Sequence, residues 1–168
     1  WSSDVCSSDL AYGVGPGNVP VLIDTTADVN AAVRGVLAGK TFDNGTLCSS
    51  EQTIVAEASL RQNVLNALAA NGAYLCDQAQ AKAVANVLFS RGTAVNPSLV
   101  GHAATEIARK AGFEVPSNTR VLAAEVQGIG KDFPLSAEKL SPVLAVHFVA
   151  DFEAALNACE AVLRFHGL

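Results

Sequence analysis

No stretch of this 168-residue chain approaches the roughly 18 consecutive apolar residues that a membrane-spanning helix requires. Basic residues are scarce. Lys and Arg number 11 against 16 Asp and Glu, leaving a net charge of −5. That balance argues against a nucleic-acid partner, which calls for a clustered basic face. None of the four cysteines, at positions 6, 48, 76 and 159, stands in a CxxC pair. His102, His147 and His166 are not at ligand spacing, so no metal site is expected. A chain of this length needs no disulfide staples, and a reducing, cytoplasmic compartment is the expectation. Internal repeats and low-complexity runs are missing. No Gly-x-Gly-x-x-Gly follows a strand; Gly13-Val-Gly-Pro-Gly17 is wrongly spaced for that dinucleotide fingerprint.

What is present is an ordinary globular balance, 50% apolar and 16% charged, in a length that suits one domain. Such a chain buries roughly 70% of its unfolded surface. Its first ten residues, Trp1-Ser-Ser-Asp-Val-Cys-Ser-Ser-Asp-Leu10, have no packing period and no signal-peptide pattern. They match a common sequencing-library adapter translated in one frame. Residues 1–10 are therefore read as an artefact, which leaves Cys6 without a role and residues 11–168 as the domain. The stop at His166-Gly167-Leu168 follows directly on a helical pattern, and both ends suggest a truncated reading frame.

Strands and helices alternate. Val21-Leu22-Ile23 predicts a buried strand. Val29, Ala32, Val33, Val36 and Leu37 fall on one helical face, with Gly39 as the stop. A polar loop from Lys40 to Ser50 holds the turn pair Asn44-Gly45, and Thr53 to Ala56 predicts a second strand. Ser59-x-x-Gln62 predicts a capping box opening a helix that Asn71-Gly72 closes. Asp77 is a cap for a helix through Leu88, and Asn96-Pro97 predicts another running to Gly112. Strands are expected at Thr119 to Val126 and at Val143 to Val149. Asp151 caps a last helix expected to bury Phe152, Ala155, Leu156, Cys159 and Leu163. The pattern predicts a three-layer α/β/α domain with a largely parallel sheet, whose chemistry gathers on loops at the carboxyl ends of strands.

One cysteine lies in the loop Lys40-Thr-Phe-Asp-Asn-Gly-Thr-Leu-Cys48-Ser-Ser-Glu-Gln52. A loop cysteine among small polar neighbours is a candidate nucleophile, although a free cysteine is more often a small buried hydrophobe. Gly15-Pro-Gly-Asn-Val-Pro20, Val21-Leu-Ile-Asp24, Thr41-Phe-Asp-Asn-Gly45 with Cys48, and Glu138-Lys-Leu-Ser-Pro-Val-Leu144 follow one another along the chain. Together they resemble the aldehyde dehydrogenase superfamily over residues 12–168. The resemblance is nearest to its CoA-acylating members, the acetylating acetaldehyde dehydrogenases and the aldehyde half of bifunctional aldehyde/alcohol dehydrogenases. It implies that Cys48 attacks an aldehyde, that NAD(H) or NADP(H) takes the hydride, and that the acyl group passes from Cys48 to CoA. It implies that Glu138 binds the ribose beside the nicotinamide, that Leu140 stands where an aromatic often underlies that ring, and that Asn18 lies in the motif turn of the cofactor site. It also implies a homo-oligomeric full-length protein, cytoplasmic or inside a bacterial microcompartment.

One departure bears on the subclass. Hydrolytic members place a general-base glutamate where this chain has Val14. Valine cannot activate water, so an acyl-enzyme without a base would wait for the CoA thiol. A hydrolytic or semialdehyde dehydrogenase of the same superfamily, or a non-catalytic α/β module, are the other readings. Glu51, a carboxylate beside Cys48, would raise that thiol's pKa and is given a structural role. Cys76 and Cys159 are expected to be structural, and His102 a surface or packed residue. The chain by itself is expected to show no dehydrogenase turnover and to be prone to aggregation.

Overall fold

A computed structural model of the chain describes residues 17–89, 92 and 94–165. The elements in order are β1 (Val19–Ile23), α1 (Val29–Thr41), β2 (Glu51–Glu57), α2 (Arg61–Ala70), β3 (Ala73–Cys76), α3 (Gln78–Leu88), α4 (Ala104–Lys110), β4 (Val121–Glu125), β5 (Val143–Val149) and α5 (Phe152–Arg164). The five strands form one sheet in the order β1-β2-β5-β4-β3, and every pairing is parallel.

Alternation along the central strands explains the layers. Ile54, Ala56, Val121, Ala123, Leu144 and Val146 face one side, where Val33, Val36 and Leu37 of α1 and Val64, Ala67 and Leu68 of α2 cover them. Leu122, Ala124, Val143 and Ala145 face the other, under Val84 and Leu88 of α3 and Ile107 and Ala108 of α4. Val55 meets Ala155 and Ala158 of α5 on that second side. Strands buried on both faces read as near-continuous apolar runs, and β4 and β5 do, interrupted by Glu125 at the end of β4 and His147 within β5. The predicted three-layer parallel architecture is the one observed.

Local departures have local causes. Gly39 does not stop α1, which continues to Thr41; a Cβ there would lie 2.6 Å from Oε1 of Glu51, so the residue is small to admit a carboxylate. The Ser59–Gln62 capping box does not form, because a single 3-10 turn, Ala58–Leu60, leads into α2 and Leu60 is its N-cap. Asn96 caps only the 3-10 turn Pro97–Leu99. Gly101 then takes φ +72, ending that turn, and α4 starts afresh at Ala104. The inward face of α5 is Ala155, Ala158 and Val162, while Phe152 and Leu156 are exposed. The short edge strand β3 was not expected from the sequence.

Asn18 fixes the start of β1. Its Nδ2 donates to the carbonyls of Ser136 (2.9 Å), Val162 (2.9 Å) and Phe165 (2.7 Å), all across the chain from it. The side chain is buried. It thereby ties β1 to the last turn of α5 and to the segment that leads into Glu138. Replacing Asn18 by Leu leaves buried carbonyls without a donor, and urea denaturation should show a loss of about 3 kcal/mol.

Candidate active site

The loops leading into β1, β2 and β5 carry Gly17-Asn18, Cys48 and Glu138-Leu140 respectively. These three strands are adjacent and parallel, so their leading loops meet at the amino end of the sheet. Sequence reasoning placed the chemistry at the carboxyl ends. There the structure has a separate cavity of about 760 Å³, lined by Cys76, Asp77, Glu125 and Phe133, and no predicted site residue reaches it.

The approach to Cys48 is a preformed and unusual turn. Asp43, Asn44 and Gly45 are consecutive residues with positive φ, at 47, 51 and 73°. Asp and Asn tolerate this region better than other side chains, and glycine is free in it. A Cβ at Gly45 would also sit 2.7 Å from the carbonyl oxygen of Ser141. Thr46 Oγ1 donates to the Asp43 carbonyl (2.9 Å) and carboxylate (2.8 Å), and Asn44 Nδ2 donates to the Gly101 carbonyl (2.9 Å). A second turn follows, closed by Ser50 N–H to the Leu47 carbonyl at 3.0 Å, with Cys48 at its second position. The thiol is exposed, and the Cys48 N–H takes part in neither turn hydrogen bond. Phe42 and Leu47 beside it are exposed apolar residues lining a shallow groove.

Gly17 joins the motifs. A Cβ there would collide with the carbonyl of Cys48, so the two backbones are in contact. The Gly17 N–H in turn donates to the Glu138 carboxylate. Glu138 is only 6% exposed. Burial raises its pKa, opposed by the Gly17 N–H and by Lys40 and Lys139. Leu140 is half-buried and strained, at φ 44°, with its carbonyl taking the Gly101 N–H at 3.0 Å. Left-handed backbone at a leucine costs on the order of 1–2 kcal/mol, which such a site supports by its surroundings.

Beneath these residues lies a polar cluster that sequence reasoning missed. Lys40, Gln52 and Lys139 have no exposed surface. Gln52 Oε1 accepts from Lys40 Nζ (2.9 Å) and from the Lys139 N–H (3.1 Å), and Gln52 Nε2 donates to the Ser50 carbonyl (3.1 Å). Lys139 Nζ is held by the carbonyls of Leu135 (2.6 Å) and Ala137 (2.7 Å). Burial pulls the Lys40 ammonium down to about 7, against the attraction of Glu51 and Glu138. Burial likewise holds Lys139 well below the ordinary lysine range, reinforced by Lys40 and opposed by Glu138. A signal existed: Val33, Val36, Leu37 and Lys40 follow helical spacing, so Lys40 stands on the buried face of α1.

The other sequence candidates separate from this site. Val14 lies outside the described residues, as do Cys6 and His166. The Asn18 Nδ2 is committed to the three carbonyls named above, a clamp at the base of the site. Burial, and then Asp77, push the Cys76 thiol up to about 12, and burial raises Cys159. His102 pairs with Glu106 at 3.1 Å on the surface. Among the described residues no group of three His, Cys, Asp or Glu could hold a metal ion, and no helix is long and apolar enough to cross a membrane.

No family model matches the chain. It is 44% identical over 162 residues to the bifunctional aldehyde-alcohol dehydrogenase AdhE of Escherichia coli, an alignment covering 96% of this chain and 18% of that protein. It is 36% identical over 158 residues to the acetylating succinate-semialdehyde dehydrogenase of Clostridium kluyveri, covering 94% of this chain and 35% of that protein. Among solved structures it superimposes on an acetylating aldehyde dehydrogenase from Geobacillus thermoglucosidasius with a TM-score of 0.90 and 40% identity, over 96% of this chain and 36% of that one. The chain thus spans about a fifth to a third of the length of the relatives it matches.

Two measurements follow from this geometry. In a Cys6→Ser background at pH 8, iodoacetamide should label Cys48 well before Cys159 and Cys76, as read by peptide mass spectrometry; a thiol at about 12 is ionised only to about one part in 10⁴. Equal labelling at Cys76 or Cys159 would contradict the placement. The second concerns pH. Between about 7 and the ordinary lysine range, the unfolded chain holds a proton on Lys40 that the folded chain does not, so stability rises with pH by up to about 1.4 kcal/mol per unit for this group. Lys40→Met removes that contribution. Urea unfolding should show the variant more stable than wild type near pH 7, with the gap narrowing towards pH 9.

Proposed function

We propose that this chain, which belongs to the aldehyde dehydrogenase superfamily and aligns with its CoA-acylating members, carries the acyl-transfer centre of an enzyme that interconverts a short-chain aldehyde plus CoA with acyl-CoA. The observation that supports this most directly is the exposed Cys48 thiol on a preformed turn whose backbone touches Gly17, the residue whose N–H reaches the buried Glu138 carboxylate.

In this reading the Cys48 thiolate adds to the aldehyde carbonyl carbon, and the carbonyl electrons move onto oxygen. The Cys48 N–H, outside the turn hydrogen bonds, is one donor for that oxyanion. Losing one such donor typically costs about 10²–10³ in rate. NAD(H) or NADP(H), when bound, supplies the hydride acceptor. Loss of hydride from the tetrahedral adduct leaves a thioester on Cys48. The CoA thiolate then attacks that thioester, the bond to Cys48 Sγ breaks, and the acyl group leaves as acyl-CoA. Every step runs in reverse for reduction.

The residues present fit the cofactor's ribose. A carboxylate offers about four acceptor positions, and among the described residues the Gly17 N–H is the one donor to Glu138. The remaining capacity suits a pair of hydroxyls. Leu140 offers an apolar contact in place of aromatic stacking. Val14 leaves water without a base, which favours acyl transfer to the CoA thiol over hydrolysis. The reading further implies a cytoplasmic enzyme that self-associates as the full-length protein.

The test is aldehyde-dependent NADH formation by the full-length protein with and without CoA. Strong dependence on CoA, abolished by Cys48→Ala, is the expected result. Equal rates without CoA would mean that water deacylates the enzyme and would assign it to the hydrolytic branch.

A further inference from the structure

We propose that Gln52 and Lys40 are positioning residues for cofactor binding: through the single oxygen Oε1 of Gln52 they hold the Glu138–Leu140 segment in register with the Cys48 turn. The inference rests on the reading of Glu138 as the ribose-binding carboxylate.

The geometry is specific. Gln52 is the second residue of β2, four residues after Cys48, and is wholly buried. Its side chain joins the Cys48 turn, the Glu138–Leu140 segment and the end of α1. Nε2 holds the Ser50 carbonyl at 3.1 Å, which is the closing residue of the Cys48 turn. Oε1 holds the N–H of Lys139 at 3.1 Å, the residue between Glu138 and Leu140. Lys40 Nζ, from the last turn of α1, fills the second lone pair of the same oxygen at 2.9 Å. A carboxamide oxygen has two lone pairs, so both are used, and its orientation is fixed. Neither residue has exposed surface, so bulk solvent does not reach this contact.

A second line of contact runs parallel but does not duplicate the first. Asn44 Nδ2 holds the Gly101 carbonyl, and the Gly101 N–H holds the Leu140 carbonyl. That chain fixes Leu140 from outside. Gln52 grips the segment from inside, at the backbone next to Glu138. The charged groups facing Lys40 are Glu51 on β2, and Glu138 and Lys139 on the segment before β5.

Without Lys40 or Gln52 the Lys139 N–H loses its partner or its partner's orientation. The Glu138 carboxylate then loses the backbone register that presents it to a ribose. The Cys48 thiol, on the other side of Gln52, remains exposed on its own closed turn. The consequence is selective: weaker cofactor binding with the thiol's chemistry little changed.

The experiment is a double-mutant cycle in the full-length protein, with the dissociation constant for NAD(H) read by nucleotide fluorescence and Cys48 alkylation read in parallel. Glu138→Gln is included as a control for the underlying reading. Lys40→Met and Gln52→Leu should each raise the dissociation constant by about tenfold, the size of one lost buried hydrogen bond. The double variant should be no weaker than either single one, because both act through one oxygen. Cys48 alkylation should stay within about twofold of wild type. Unchanged affinity in Lys40→Met and Gln52→Leu, while Glu138→Gln weakens binding, would overturn the proposal and leave the reading of Glu138 standing. Additive losses in the double variant would overturn it as well. Unchanged affinity in Glu138→Gln would remove the reading of Glu138 itself, and the proposal with it. Should Lys40→Met fail to fold by circular dichroism, Gln52→Leu carries the test: a weaker constant with Cys48 alkylation unchanged supports the proposal, and an unchanged constant overturns it.

Discussion

One side chain oxygen, Gln52 Oε1, lies where three segments far apart in sequence must agree. It accepts from Lys40 on α1 and from the backbone of Lys139, while its own amide holds the turn of Cys48. Two lysines and a carboxamide are fully buried there. Burial of that kind is unfavourable unless each polar atom finds a partner. The hydrogen bonds of this cluster satisfy that demand only when α1, the Cys48 turn and the Glu138–Leu140 segment are in their native positions. The same feature that weakens the fold near neutral pH, through the depressed lysines, therefore makes the loop arrangement unique.

The parallel sheet makes such a convergence possible. With β1, β2 and β5 side by side and all running one way, the loops that lead into them share one end of the sheet. Glycines at 17 and 45 let those loops approach backbone to backbone, against Cys48 and Ser141. Asn18 anchors the first loop from below, through α5. Rigid strands thus carry the positions, and the loops carry the chemistry.

Much of this was legible in the sequence, for reasons tied to particular residues. Apolar runs such as Val143 to Val149 signal strands covered on both faces, and Asp77 and Asp151 are the N-caps of α3 and α5, as the side-chain pattern indicated. Cys48, Glu138 and Gly17 stood out through their motifs, and the structure brings their loops together. Lys40 and Gln52 did not stand out, because charge and amide are ordinarily read as surface; only the helical spacing of Lys40 betrayed it. The amino end of the sheet was legible, since each motif precedes a strand, and the expectation of carboxyl ends overlooked it; that β1, β2 and β5 are neighbours was not legible, since it depends on strand order. Nor was the break at Gly101, where a positive φ that one glycine permits divides a continuous helical pattern into two.

The account's central claim is that Cys48 bears the acyl group. Its most direct test is to mix the full-length protein with an acyl-CoA in the absence of reduced nicotinamide, quench in acid and map the acylated peptide by mass spectrometry. The account predicts the mass of one acyl group on the peptide containing Cys48, released on adding free CoA. An acyl group on Cys76 or Cys159, or none on any cysteine while acyl-CoA reduction still proceeds, would contradict it.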